Sequence, residues 1–529
     1  MRRFNVTGLC VPKKHYMVDI SGKIDQILKL IDDEHYFTIN RARQYGKTTT
    51  LNQLKNTILK NSEYICVSIS FESVDPHDFD TPSAFCKMYL QKISDALDFS
   101  TTDEEYSARW NNPDVTDIGM LSRHITKICK NKKLVLLIDE VDKSTDNGLF
   151  LHFLGMLRAK YLARQAGDDF TFHSVILAGV TDIKNLKLKM INDGLHEPLA
   201  GEGRIFNSPW NIAAHFNVDM SFSSEEISTM LYDYEKDNNT GMNIKSISEA
   251  IYKYTSGYPF LVSRICQCID EELDRDWSID GVKQAVKYIK TTEINTLFED
   301  MFKNLKNSKE IYDFMYGLLI LGENEMRSRF DDTVRLCEMF GYIQTNPMSG
   351  KISVANKIFE AVLIEYFLTV EGDVSYKSKE ASKIFRIDVT RGGQFDMELC
   401  LSKFAEFYRQ TFSPKNIPVM EKQARLIFLA FLHALINGEG FYHIESAFTD
   451  SRRMDIVVDF GKNQYILELK LWRGEIARDR AYDQLLGYLE SKNANEGYLL
   501  TFDFREEKNK QRKAEWVEFG DVKIFDVVV

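Results

Sequence analysis

Asp455, Glu468 and Lys470 make an acid, acid, lysine set whose last two members stand as Glu-Leu-Lys. Carboxylates brought side by side repel and raise each other's pKa, and a hard divalent cation supplies the missing positive charge. Such an ion lowers the pKa of a bound water and polarises a phosphoryl oxygen, while a nearby ammonium orients the water or offsets developing charge. The chemistry in outline is metal-dependent hydrolysis of a phosphodiester, with Asp455 and Glu468 as metal ligands. A solvated hairpin face of mixed charge has the same spacing, so spacing alone leaves both readings open.

A second set lies in the first half of the chain. Asn40-Arg41-Ala42-Arg43-Gln44-Tyr45-Gly46-Lys47-Thr48-Thr49 follows an apolar run, Tyr36 to Ile39, and precedes the helical spacing of Leu51, Leu54 and Ile58. A phosphate-binding loop needs that setting. Gly46 lets the backbone approach an anion, the N–H groups at the helix start bind it, Lys47 reaches the terminal phosphates, and the Thr48 hydroxyl, with Thr49 beside it, faces Mg²⁺. The pattern G-x-x-x-x-G-K-[ST] fails at its first position, where Arg41 stands. Its partner is Leu134 to Ile138, an apolar run ending in Asp139 and Glu140, the expected form of a central parallel strand buried on both faces. Asp139 would hold the Mg²⁺ shell and Glu140 would polarise the attacking water of a nucleotide such as ATP. A further apolar run, Ser174 to Val180, ends at Thr181, a polar residue placed to contact the terminal phosphate or the water.

The surrounding periodicities supply the elements that must position these groups. Met454 to Asp459 and Tyr465 to Lys470 read as strands around a turn at Gly461-Lys462-Asn463-Gln464. Folding back over that turn brings Asp455 within one or two residue pairs of Glu468, and the period of two puts Glu468 and Lys470 on one face. Glu421 opens an apolar helical stretch through Leu435, Phe441 to Glu445 reads as a strand, Ala481 to Leu489 as a helix and Gly497 to Phe502 as a strand. Near the N-terminus Ser21 to Asp33 is helical, and between the two sets Ser223 to Asp276 reads as several amphipathic helices and Asn304 to Leu368 suggests a winged helix. The wing strands of the last fall at Tyr342 to Gln344 and Lys351 to Val354.

The order helix, three strands, helix, strand resembles the PD-(D/E)XK nuclease superfamily. That resemblance places its core motif on Asp455, Glu468 and Lys470, the acidic residue of the first helix on Glu421, and a glutamine and tyrosine of the later helix on Gln484 and Tyr488. Arg453 matches a further position, although Arg452 stands where the family usually has glycine. It implies Mg²⁺, or Mn²⁺, as cofactor and DNA as partner. The first half resembles the archaeal-type and STAND branch of P-loop ATPases and a bacterial AAA-ATPase-like family with an arginine-rich first loop. Arg41 and Arg43 fit that loop, Thr181 the sensor position, and Ser208 to Ala213, Gly257 to Leu261 and Ser353 to Phe359 the later segments. Arg204 would be an arginine finger or a surface cation. Sites of this kind often need a neighbour's arginine, which is compatible with a homo-oligomer.

The fold expected is α/β: a P-loop NTPase parallel sheet with a helical lid and a winged helix, followed by an α/β domain like that of restriction endonucleases. The domains expected are an ATPase core over 1–220, a lid over 221–295, a winged helix over 296–372, a linker over 373–415 and a nuclease-like domain over 416–529. A chain of 529 residues with 44% hydrophobic and 27% charged residues has room for several such cores. Its eight cysteines show no zinc spacing and no disulfide framework is needed, so the setting expected is the cytoplasm, with no membrane span. A net charge of -11 excludes a broadly basic surface. DNA contact would therefore come from local patches, at Arg452-Arg453, at Arg473 with Arg478 and Arg480, and in the run Lys508 to Lys513. Together these features predict ATP hydrolysis controlling a metal-dependent DNA nuclease, by family analogy in defence against phage or mobile DNA. The alternative is an ATP-driven oligomerising switch whose nuclease fold binds nucleic acid or a partner without cutting.

Overall fold

The structure is a computed structural model that describes the chain apart from residues 1, 100–102, 145–147, 181–209, 294, 322–330, 347, 371–381, 383–385, 387–388, 391–393, 412–416, 437–439, 446–454, 462 and 506–512. It divides into two compact units. The first comprises Met1–Ala285 with Val334–Tyr342, and the second Val286–Thr333 with Ile343–Val529. Among the described residues no helix is long and apolar enough to cross a membrane.

The first unit is built on a wholly parallel sheet of β1 (Phe37–Asn40), β2 (Tyr64–Ser70), β3 (Lys133–Asp139) and β4 (Ser174–Gly179), in the order β1-β4-β3-β2. Parallel strands need crossovers, and helices Lys47–Ile58, Pro82–Asp98, Ile118–Cys129 and Gly148–Ala166 supply them. β3 is buried along its length save for Lys133, as its unbroken Leu-Val-Leu-Leu-Ile run predicts. Ring-rich packing of Phe85, Tyr89, Phe150, Phe153 and Phe172 fills one side of the sheet. A parallel bridge between Phe37 and Ala214 extends the β1 edge. This order brings the carboxyl ends of β1, β4 and β3 together, the place where ligands of open parallel sheets sit.

The stretch expected to be a lid, 221–295, contains the helices Ser224–Asn238, Ile244–Thr255, Pro259–Glu271 and Ile279–Thr292. Ser223 and Glu226 close a reciprocal capping box at the start of the first. Gly257, at φ +73°, lies so close to Phe222 that a Cβ on it would come within 1.9 Å of the Phe222 carbonyl oxygen, and the Phe222 N–H donates to the Gly257 carbonyl at 2.8 Å. Gly257→Ala is expected to cost about 2 kcal/mol of unfolding free energy, measured by denaturant titration, since both space and backbone conformation exclude a side chain.

In the second unit β5 (Ile343–Thr345) and β6 (Ile352–Val354) pair antiparallel, near the positions expected of wing strands, and lead into the helix Lys357–Val370. Its main sheet has six strands: β7 (Gly440–Glu445), β8 (Asp455–Phe460), β9 (Asn463–Leu471), β10 (Glu496–Phe502), β11 (Lys513–Phe519) and β12 (Val522–Val528), ordered β11-β12-β10-β9-β8-β7. β9, β10 and β12 run parallel, and the remaining neighbours pair antiparallel. Asn463 and Gln464, expected in a turn, already belong to β9 and pair with Phe460 and Asp459. Gly461 at φ +60° makes so tight a reversal accessible. Within the stretch expected to be a linker, Met397–Thr411 forms a helix whose Phe404 packs on Phe428, Phe431 and Phe502.

Candidate functional sites

Gly46 adopts the left-handed conformation, φ +76°, as the residue before the helix Lys47–Ile58, so its lack of a Cβ lets the loop turn into the helix. That helix buries Leu51, Leu54 and Ile58 against the unit and leaves its first turn at the loop. Lys47 is buried, and its Nζ donates to the carbonyls of Arg41 and Ala42 at 3.0 Å each. The Thr48 hydroxyl donates to Asp139 Oδ2 at 2.7 Å, while Asp139 Oδ1 accepts the Glu140 N–H at 2.9 Å. The sequence-predicted Lys47, Thr48, Asp139 and Glu140 are therefore gathered from two elements 91 residues apart.

Electrostatics follow from burial. Burial lowers the proton affinity of Lys47, against the pull of Asp142, Glu140 and Asp139. Glu140 is pushed above the usual carboxylate range, first by burial and then by Asp139 beside it, with Lys47 opposing. Glu140 also holds φ +56° and Gln44 φ +57°, conformations that cost an L-residue about 1 kcal/mol each. Strain of this kind persists only where the surroundings fix it, and here both residues lie at the proposed site.

The other loop residues have separate tasks. Arg41 donates to the Val218 carbonyl at 2.8 Å, lies over the Phe216 ring and gives its N–H to the Gly179 carbonyl. Arg43 lends its carbonyl to the buried Tyr258 hydroxyl at 2.5 Å, and Thr49 Oγ1 accepts the Cys10 N–H at 3.2 Å. Gly341 packs on the loop as well: a Cβ there would lie 2.9 Å from that of Ala42. Gly341, Cys10 and Asp142 escaped the sequence reading because their proximity to the loop is long-range, and for the same reason the bond from Tyr258, inside the Gly257 to Leu261 segment, to Arg43 could not be read there. Asp142 lies two residues past the end of the motif that closes at Glu140. Thr181 and Arg204 lie outside the described residues.

In the second unit the register sets Asp455 directly opposite Glu468, and Glu468 beside Leu499 on β10. The structure describes the backbone of Asp455 and Glu421, on β8 and in the helix Ile417–Ile436, but not their side chains. Glu468 is 1% exposed and its Oε1 lies 2.5 Å from Lys470 Nζ, so the Glu-Leu-Lys pair does share one face. That face is covered by the helix Glu475–Lys492, whose Ala481, Tyr482, Leu485 and Leu489 pack with Ile466, Leu499 and Ile524. Gln484 and Tyr488 are half-buried on the same helix.

The basic patches are altered by the structure. Arg478 is bound to the fully buried Asp526 at 2.6 Å, and Lys513 to Glu515 at 2.8 Å, so neither is a loose surface cation. Arg473 and Arg480 are exposed. Arg452, Arg453 and Lys508 to Arg512 lie outside the described residues.

Residues 25–274 match the AAA-like domain family, a span that takes in the four-stranded sheet, the loop before the helix Lys47–Ile58, and the helices Ser224–Asn238, Ile244–Thr255 and Pro259–Glu271. None of the curated proteins matches the sequence. Among solved structures, a Walker-type ATPase of Pyrococcus abyssi is similar at 12% identity and a TM-score of 0.45, over 68% of this chain and 99% of its own. Cdc6p from Pyrobaculum aerophilum is similar at 15% identity and a TM-score of 0.33, over 68% of this chain and 96% of its own. The ORC2 protein of Aeropyrum pernix, in ADPNP-ADP complexes, is similar at 11% identity and a TM-score of 0.34, over 70% of this chain and 97% of its own.

Proposed function

We propose that the first unit binds and hydrolyses ATP, and that this activity controls a metal-dependent DNA nuclease on the second. The observation that carries the first part is the Thr48 hydroxyl at 2.7 Å from Asp139, beside a buried Lys47 at the start of a helix. Thr48 and Asp139 are hard oxygen donors and fit a Mg²⁺ shell, which would neutralise charge on the phosphates when bound. Gly46 and the helix N-terminus would bind the phosphate chain, Lys47 the terminal phosphates, and Glu140 would accept the proton of the attacking water. Arg41 and Arg43 shape the loop, with Thr49 at its end and Thr181 after β4 as further contacts.

For the second unit, support comes from the direct pairing of Asp455 with Glu468 and from Lys470 beside Glu468. Asp455 and Glu468 would hold Mg²⁺ or Mn²⁺, whose chemistry is to activate water and polarise the phosphodiester. Lys470 would offset charge on the cleaved phosphate, with Glu421 and Gln484 completing the site. DNA is the substrate proposed, the cytoplasm the setting, and defence against phage or mobile DNA the use. The 2.5 Å pairing of Glu468 with Lys470 favours a second reading, because a carboxylate already neutralised by an ammonium has less need of a metal. In that reading ATP drives oligomerisation and the second unit binds nucleic acid without cutting it. Assays of ATP and DNA hydrolysis with substitutions at Lys47, Glu140 and Asp455 separate the two. A chain that cuts no duplex, single-stranded or RNA substrate with Mn²⁺ and ATP, and behaves identically as Asp455→Ala, excludes the nuclease.

A further inference from the structure

The turn after β3 carries a third carboxylate beyond Asp139 and Glu140. Asp142 Oδ2 accepts the Val180 N–H at 2.6 Å, at the residue that follows β4. Gly179 makes this approach accessible, since a Cβ built on it would lie 2.9 Å from both Asp142 carboxylate oxygens. On its other side the Gly179 carbonyl accepts the Arg41 N–H of the phosphate loop at 3.2 Å. The end of β4 is thus held between the loop and the acidic turn by two backbone bonds, one of them to a carboxylate. Asp142 also bears on Lys47. Among the carboxylates that oppose the effect of burial on that ammonium, it weighs most, ahead of Glu140 and Asp139.

We propose that Asp142 is a positioning residue of the nucleotide site, fixing the carboxyl end of β4, at Val180, against the loop that carries Arg41 and Lys47. The inference rests on the ATPase reading above. Its logic separates binding from turnover. Loss of its charge removes repulsion of the phosphates and support of the Lys47 ammonium alike, so affinity changes little. Loss of its grip on Val180 loosens the geometry in which the reaction occurs, and turnover falls.

The test uses the full chain, with nucleotide affinity and kcat measured on the same preparations of wild type, Asp142→Ala and Asp142→Asn. Asp142→Ala is expected to lower kcat about thirtyfold, with affinity within about threefold of wild type. Asp142→Asn keeps an oxygen that accepts the Val180 N–H, and is expected to retain both kcat and affinity within about threefold. Rescue by the amide marks positioning, since a general structural defect would lower affinity and turnover together. The proposal is overturned by Asp142→Ala turning over within about twofold of wild type, or by its affinity falling in step with kcat. If Asp142→Ala does not fold, a loss of kcat above about tenfold in Asp142→Asn overturns it, since the bond to Val180 is kept there, and kcat within about threefold supports it. A wild-type chain that neither binds nor hydrolyses ATP shows the different failure, that of the ATPase reading itself.

Discussion

Glu140→Gln is expected to lower the rate of ATP hydrolysis about a thousandfold while leaving nucleotide affinity within about threefold of wild type. The amide has nearly the shape of the carboxylate but cannot take a proton from water. The surroundings favour the base role: burial and the adjacent Asp139 raise the proton affinity of Glu140, and its left-handed backbone sets it where the strand ends. Lys47→Ala gives the opposite split. Its ammonium, bonded to the carbonyls of Arg41 and Ala42, is the cation placed for the terminal phosphates, so affinity itself falls, and turnover with it. Binding of a fluorescent ATP analogue and steady-state phosphate release separate the two variants. A Glu140→Gln protein that hydrolyses ATP within about tenfold of wild type would remove Glu140 from the reaction.

Glu468→Gln is expected to reduce metal-dependent DNA cleavage about a thousandfold, and Asp455→Ala to do the same. Two acidic residues paired directly across β8 and β9 would form one ligand set, so either loss would dismantle it and the two together would cost little more than one. The close Glu468–Lys470 contact makes the experiment decisive in both directions. If the pair serves only to hold charge inside the fold, Glu468→Gln leaves every ATP-dependent property intact, and binding of Mn²⁺ by the second unit is absent in wild type as well. If the pair is a site, Mn²⁺ titration of the wild type shows binding that Glu468→Gln loses while its unfolding midpoint stays near that of wild type.

Much of this architecture was legible because its signals are local. The apolar run ending in Asp139, the Gly46-Lys47-Thr48 turn into a helix and the alternation around Glu468 each reflect a period or a backbone conformation confined to a few residues. The reversal at Gly461 proved tighter than expected, because pairing across the sheet drew two polar residues, Asn463 and Gln464, into the strand against their turn character. Met397–Thr411 escaped notice beside a charged stretch, though its buried positions do recur at helical spacing. The last strand pair, β11 and β12, was missed because β11 mixes Lys, Glu and aromatic residues as an edge strand does, and its partner is defined by pairing rather than by composition. Asp142 lay in plain view and still could not be assigned, since its meaning depends on Val180, 38 residues later.

Gly341 belongs to a short stretch, Val334–Tyr342, that completes the first unit although the chain on both sides of it lies in the second. During synthesis, the first unit therefore cannot finish folding when its own main stretch has emerged. It waits until residue 342 has left the ribosome, with part of the second unit already made. A single cut cannot release either unit whole, and a chain shortened to Ala285 would leave Ala42 without the neighbour that packs on it. Recombination meets the same constraint: a lineage that exchanged the chain beyond Ala285 would lose Gly341, the neighbour of Ala42, which ties the inheritance of one unit to that of the other.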